Sequence, residues 1–148
     1  AAREEAEHRL ERACARQTVQ LLLDEFPEDI PLPMPPLVSI QSVTYADADG
    51  NTQTVDSADF TTDVGQEPPW LLDATGNGWP TPGEFANAVQ VTYEVGYTPA
   101  DIPRAIKHWI LLRIGTLYAY READSDKVPQ PAPFADRMLD RYRVIRGY

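Results

Sequence analysis

Near residue 96 the periodicity of the sequence changes, and that change limits the folds open to the chain. In "AVQVTYEVGY", residues 88–97, Val89, Val91, Tyr93 and Val95 alternate with polar residues, the pattern of a strand with one buried face. After Gly96 the spacing becomes helical. Asp101 is a suitable N-cap and Pro103 fits the first turn, where a missing N–H is harmless. Ile106, Trp109, Ile110, Leu117 and Tyr120 then share one stripe, and Leu111, Leu112 and Ala119 a second. A helix apolar on two sides is expected to be covered twice, by its own sheet and by the first helix or a neighbouring subunit. The reading is an α+β fold, with N-terminal, long central and C-terminal helices packed on a small antiparallel sheet that includes a β-hairpin.

The remaining elements are shorter. Residues 2–16 read as a helix with Ala2, Ala6, Leu10 and Ala13/Cys14 on its apolar face and Glu5–Arg9 and Glu7–Glu11 on its exposed side. The pattern is already helical at Ala1, so a preceding segment is expected. "TVQLLLDEF" reads as a strand. "PEDIPLPMPPL", residues 27–37, holds five prolines and is expected as an exposed arm or edge connection, an extended strap on the protein itself. In "LVSIQSVTY" the apolar parity switches between Ile40 and Val43, which predicts a bulge near Gln41–Ser42. "FADRMLDRYRVIRGY" reads as a last amphipathic helix with Phe134, Met138, Tyr142 and Ile145 on its apolar face. Two units follow, a helix–sheet–helix core over 1–128 and a C-terminal helix or tail over 129–148.

Charge is distributed more tellingly than its total of −10. Residues 17–103 contain 14 acids and no Lys or Arg; residues 1–16 balance four Arg against four Glu; residues 104–148 carry nine basic and five acidic groups. Such a middle cannot grip a phosphate backbone, which needs clustered cations. It reads either as the soluble acidic surface of a salt-adapted protein or as an oriented molecule whose ends meet different partners. No run approaches a membrane span or a signal peptide. The single Cys14 can make no internal disulfide and reads as a small buried hydrophobe.

Site chemistry is sparse. Asp47, Asp49 and Asn51 stand at alternate positions beside Gly50, which raises the question of a calcium loop. Counted from Asp47, the sixth and twelfth positions are Thr52 and Ala58, so both the hinge glycine and the closing carboxylate are missing. Asp49, Gly50 and Asn51 instead read as a hairpin turn. His8 and His108 lie far apart without partnered ligands, and no nucleophile elbow or phosphate loop occurs. Asp47 with Asp49, or Asp124 with Asp126, could be imagined as an acid–base pair, but nothing marks either as buried. No catalytic residue, metal or cofactor is assigned.

The end of the chain differs. Residues 137–148 hold Arg137, Arg141, Arg143 and Arg146 against Asp140, with Tyr142, Ile145 and Tyr148 interspersed. Tyr and Arg dominate interface hot spots, so this stretch reads as a partner-docking tail.

Three blocks together carry a resemblance: "PLVSIQSVTYADADGNTQTVDSADF", "VQVTYEVGYTPADIPRAIKHWILLRIGTLYAYRE" and "DRYRV". The order is similar to that of head–tail connector (adaptor) proteins of long-tailed phages and phage-like particles such as gene transfer agents. In that family a strand ending in Gly-Tyr leads into a long helix; the matching positions are Gly96, Tyr97, Pro103, Ile106, Lys107, Ile110, Leu111, Leu112, Tyr118, Arg121 and Glu122. The surroundings of Trp109 and Gly115 depart from the commoner pattern. The resemblance implies a structural part of a virion or phage-like particle at the head–tail junction (neck), assembled in the bacterial cytoplasm. It implies a homo-oligomeric ring, usually of twelve copies, between a portal protein and stopper or tail-completion proteins, through which DNA passes without sequence-specific binding.

On that reading Arg137, Arg141, Tyr142, Arg143, Ile145, Arg146 and Tyr148 are expected to meet the portal. Ring contacts are expected from the exposed side of the long helix, including Lys107 and Arg113. Two rivals are a monomeric binding module that uses the proline-rich arm, and a small carboxylate-dependent hydrolase.

Overall fold

The computed structural model describes residues 1–122 and 133–145. Its elements are α1 (Ala2–Leu10), β1 (Gln17–Leu23), β2 (Asp29–Pro31), β3 (Leu37–Ala46), β4 (Thr52–Thr54), β5 (Phe60–Asp63), β6 (Trp70–Asp73), β7 (Val89–Val95), α2 (Arg104–Glu122) and α3 (Pro133–Asp140). The strands form two antiparallel sheets, ordered β1-β7-β3-β4 and β2-β6-β5. The fold is α+β with a β-hairpin, as the sequence predicts.

β7 lies between β1 and β3, in register from Gln17↔Val95 to Leu23↔Val89 on one side and Val43↔Val91 on the other. Its alternation is the reason: Val89, Val91, Tyr93 and Val95 all face inward and are buried, while the outward residues stay partly wet. The bulge predicted near Gln41–Ser42 is present as a register shift between Ile40 and Ser42, with another between Leu37 and Ser39.

The proline-rich stretch is a strap, but it is not exposed along its length. β2 pairs with β6 at the edge of the small sheet, and Ile30, Leu32 and Pro35 are fully buried. Proline suits this position because an edge strand and its flanks need fewer donors. The Tyr93 hydroxyl donates to the Pro33 carbonyl at 3.0 Å, and the Ala13 N–H donates to that of Pro35 at 2.9 Å.

Two apolar cores result. One joins the sheets through Ile30, Leu32, Val43, Leu71 and the inner face of β7. The other lies among the helices and contains Ala6, Leu10, Cys14, Ile106, Trp109, Ala135 and Leu139. Among the described residues, α2 is therefore covered by α1 and α3 along one stripe, and the second apolar side predicted from its sequence is left uncovered. α3 ends at Asp140 and buries Ala135 and Leu139, while Phe134 is 66% and Ile145 82% exposed. The apolar face expected from Phe134 and Ile145 is thus turned outward.

α1 is also shorter than its sequence suggests. No Gly or Pro stops it, yet Glu11 adopts a left-handed φ of 51° at the C-cap. The reason is tertiary. The buried Glu7 carboxylate accepts the Cys14 N–H at 2.8 Å, which turns the chain and places Arg12 and Ala13 in the protein. Glu7, expected on the exposed side, is instead 8% exposed.

Candidate interaction surfaces

The hairpin turn forms where predicted. Asp47 organises it: its carboxylate accepts the N–H of Asp49 at 3.0 Å and of Asn51 at 2.9 Å, and the Gln53 side-chain amide at 2.9 Å. Gly50 takes φ 82°, a conformation glycine adopts without steric cost. These donors, led by Gln53, hold the Asp47 carboxyl below its ordinary range. A carboxylate kept ionised by its own turn is poorly suited to donate a proton as a general acid. Asp73 does the same work in the loop after β6, where Thr75, first through its side chain, and the Gly78 N–H lower its pKa. Among the described residues, no three His, Cys, Asp or Glu side chains are placed to hold a metal ion. No described helix is long and apolar enough to cross a membrane.

The buried hub of the molecule is Arg12, which the sequence analysis did not single out. Its Nε donates to the Tyr142 carbonyl and one terminal nitrogen to the Tyr97 hydroxyl, both at 3.0 Å. The other terminal nitrogen is ion-paired with Glu67. Burial alone would lower its pKa; the bonds from Glu67 and Tyr97 outweigh that and hold it above its ordinary value. One side chain thus joins the end of α1, the exit of β7, the β5–β6 loop and the C-terminal segment. The Gly-Tyr pair after β7 has a physical role here. Tyr97 meets Arg12, and Gly96, at φ 101°, lies so close to Ala15 that a Cβ would stand 1.9 Å from its carbonyl oxygen.

The described part of the C-terminal segment is rooted in the fold. The Val144 N–H donates to the Leu10 carbonyl at 3.0 Å, and Arg9 pairs with Asp136 at 3.0 Å. The Trp109 indole donates to Asp136 at 3.2 Å. Arg137, Arg141 and Arg143 are exposed on this segment. Tyr142 is half-buried, with the Arg141 guanidinium 5.2 Å from its ring centroid. Ile145 is exposed. The structure brings these five together on one rooted segment; Arg146 and Tyr148 lie outside the described residues, as do Asp124 and Asp126.

The two residues expected on the exposed side of α2 separate. Lys107 is half-exposed. Arg113 is only 7% exposed and its Nε donates to Glu5 at 2.7 Å, so it lies on the inner side against α1. Its charge misled the sequence reading, since a cation in a helix normally faces water. Leu111, Leu112, Ile114, Tyr118 and Tyr120 of α2 are all exposed.

Comparison with solved structures reproduces this architecture over 99% of the chain. A chain of the virion of a native gene transfer agent particle superposes with a TM-score of 0.79 at 19% identity, with 75% of that chain covered. The two chains share one fold. A chain from the neck of the native particle, computed with C12 symmetry, gives 0.77 at 19% identity and 80% of its length. One from the neck of the empty particle, computed with C6 symmetry, gives 0.77 at 19% identity and 75%. No family model matches the sequence, and no curated protein does either. At such identity the likeness rests on the fold, and it agrees with the resemblance carried by the three sequence blocks together.

Proposed function

We propose that the chain is a head–tail adaptor, a structural part of a phage-like particle rather than an enzyme. Copies form a ring, twelve in number, under the portal, and the ring extends the DNA channel toward stopper or tail-completion proteins. The observation that carries this reading is the likeness, across 99% of the chain, to a neck chain in an assembly with C12 symmetry. Three features of the chain support it. The acidic sheets repel a phosphate backbone, which suits a channel through which DNA slides. The C-terminal segment is anchored by Arg12 and Leu10 and then presents Arg141, Arg143 and Ile145 outward, which suits docking on the portal with Arg137, Tyr142, Arg146 and Tyr148. The proline-rich strap, by contrast, has Ile30, Leu32 and Pro35 in the core, so it has little left to offer a groove in another protein.

Native mass spectrometry of the chain mixed with the portal protein of the same particle tests the proposal. The truncation compared should end at Val144, because Leu139 and Val144 are buried and a shorter chain would damage the helical core. A complex of defined copy number, weakened in the truncated chain and in Arg141→Glu/Arg143→Glu, is expected. A monomer indifferent to portal at all concentrations would refute the adaptor role. A complex unaffected by either change would keep the role and move the portal contact elsewhere.

A further inference from the structure

Past Arg113 the long helix runs on for nine residues without burying one of the side chains described there. At about 1.5 Å per residue, α2 is roughly 28 Å long, and its second half emerges from the cover of α1 and α3. Leu111 is 64%, Ile114 49% and Tyr118 65% exposed. Their three- and four-residue spacing puts them on one face, a continuous apolar stripe rather than scattered single residues. Helical propensity alone holds segments this short only marginally in water. Arg104 and Lys107 precede Leu111 on the same face, and neither has an ion pair among the described residues.

The opposite charge lies elsewhere in the same chain. Of the 14 acids in residues 17–103, only Glu67 and Glu94 are ion-paired among the described residues, to Arg12 and Arg16. The sheet half therefore presents acids without cations, and the open face of α2 presents cations at the head of an apolar stripe. Among the described residues of one copy, no ion pair brings the two together. We infer that the open face of α2 is the seam on which a second copy of this chain sits, with the acidic sheet half of that copy against Arg104 and Lys107. Such a contact is heterologous: each copy gives one surface and receives on another, and repetition closes a ring. Nucleic acid would satisfy the cations but would leave Leu111, Ile114 and Tyr118 in water; a protein surface covers both. The inference rests on the ring reading above and names its seam.

The test uses the full chain. Sedimentation velocity and native mass spectrometry follow assembly of the natural protein, Leu111→Glu/Tyr118→Glu and Arg104→Glu/Lys107→Glu, each alone and with portal protein. The first pair is expected to give a folded monomer. The second should raise the concentration needed for assembly by about tenfold or more, and added salt should do the same to the natural protein. Hydrogen exchange of the natural protein needs no variant: amides of residues 111–121 should slow on assembly. Full rings from Leu111→Glu/Tyr118→Glu, or unchanged exchange in 111–121, would overturn the seam and leave the ring reading standing. Variants that still ring but lose the portal would give the stripe to the portal and overturn the seam. A natural protein that never assembles, with or without portal, would overturn the ring reading and the seam together.

Discussion

Gly96→Ala is the sharpest test of how the two halves of the protein are joined. Two separate costs are involved. The first is conformational: at φ 101° an L side chain is outside its favoured regions, which costs about 1–3 kcal/mol. The second is steric, since the new Cβ would stand 1.9 Å from the Ala15 oxygen and 2.4 Å from its carbonyl carbon. Backbone cannot yield like a side-chain tip, and overpacking of this kind costs roughly another 1–3 kcal/mol. A total of about 2–6 kcal/mol is expected, a large part of the roughly 5–15 kcal/mol that holds a domain folded. Gly78→Ala separates the terms: its φ is 83° but nothing lies within 4 Å of the added Cβ, so it should lose only about 1–2 kcal/mol. Gly115→Ala supplies the opposite sign. It lies inside α2 in open space, and alanine there should stabilise the isolated chain by about 0.5–1 kcal/mol. Urea unfolding followed by tryptophan fluorescence and far-UV circular dichroism measures all three. If Gly96→Ala cost no more than Gly78→Ala, the close approach of Gly96 to Ala15 would be wrong, and with it the account of the Gly-Tyr pair.

Other consequences follow from the same contacts. Arg12→Met should cost about 2–4 kcal/mol in urea, because it orphans the Tyr142 carbonyl and the Tyr97 hydroxyl, and should speed amide exchange at Val144; Glu67→Gln should cost under about 1 kcal/mol, since Glu67 is 52% exposed. Burial, then the nearby Glu7 carboxylate, push the Cys14 thiol up to about 11, so a thiol reagent at pH 8 should label the folded chain far more slowly than the unfolded one. Asp47 and Asp73 have lowered pKa values in the fold. The stability they add is fully present above the ordinary carboxylate range and is lost as pH falls through their lowered values. Replacing both with Asn should flatten that part of the acid-denaturation profile; an unchanged profile would mean their turns add nothing.

Much of this protein is legible along the chain because the interactions involved are local. The alternation in β7 determines which residues face the core, since side chains in a strand alternate regardless of what lies beyond. The hairpin at 47–51 follows from residues that bond within their own turn. The parity switch in β3 forces its bulge, because a strand cannot change its buried face without an extra residue. The apolar face of α1 is read from spacing alone. What the sequence could not decide depends on partners distant in the chain. α1 stops at Leu10 where Arg12 bonds to Tyr97 and Tyr142 and the Ala13 N–H to Pro35, not through any breaker. Arg113 is buried because Glu5 waits for it across a helix pair, 108 residues away. The proline strap enters the core because a second sheet receives it, and α3 turns Ala135 and Leu139 inward because Trp109 and Leu10 are there to meet them. Periodicity specifies a face; only the tertiary structure decides whether something stands opposite it, and along the outer half of α2 nothing among the described residues does.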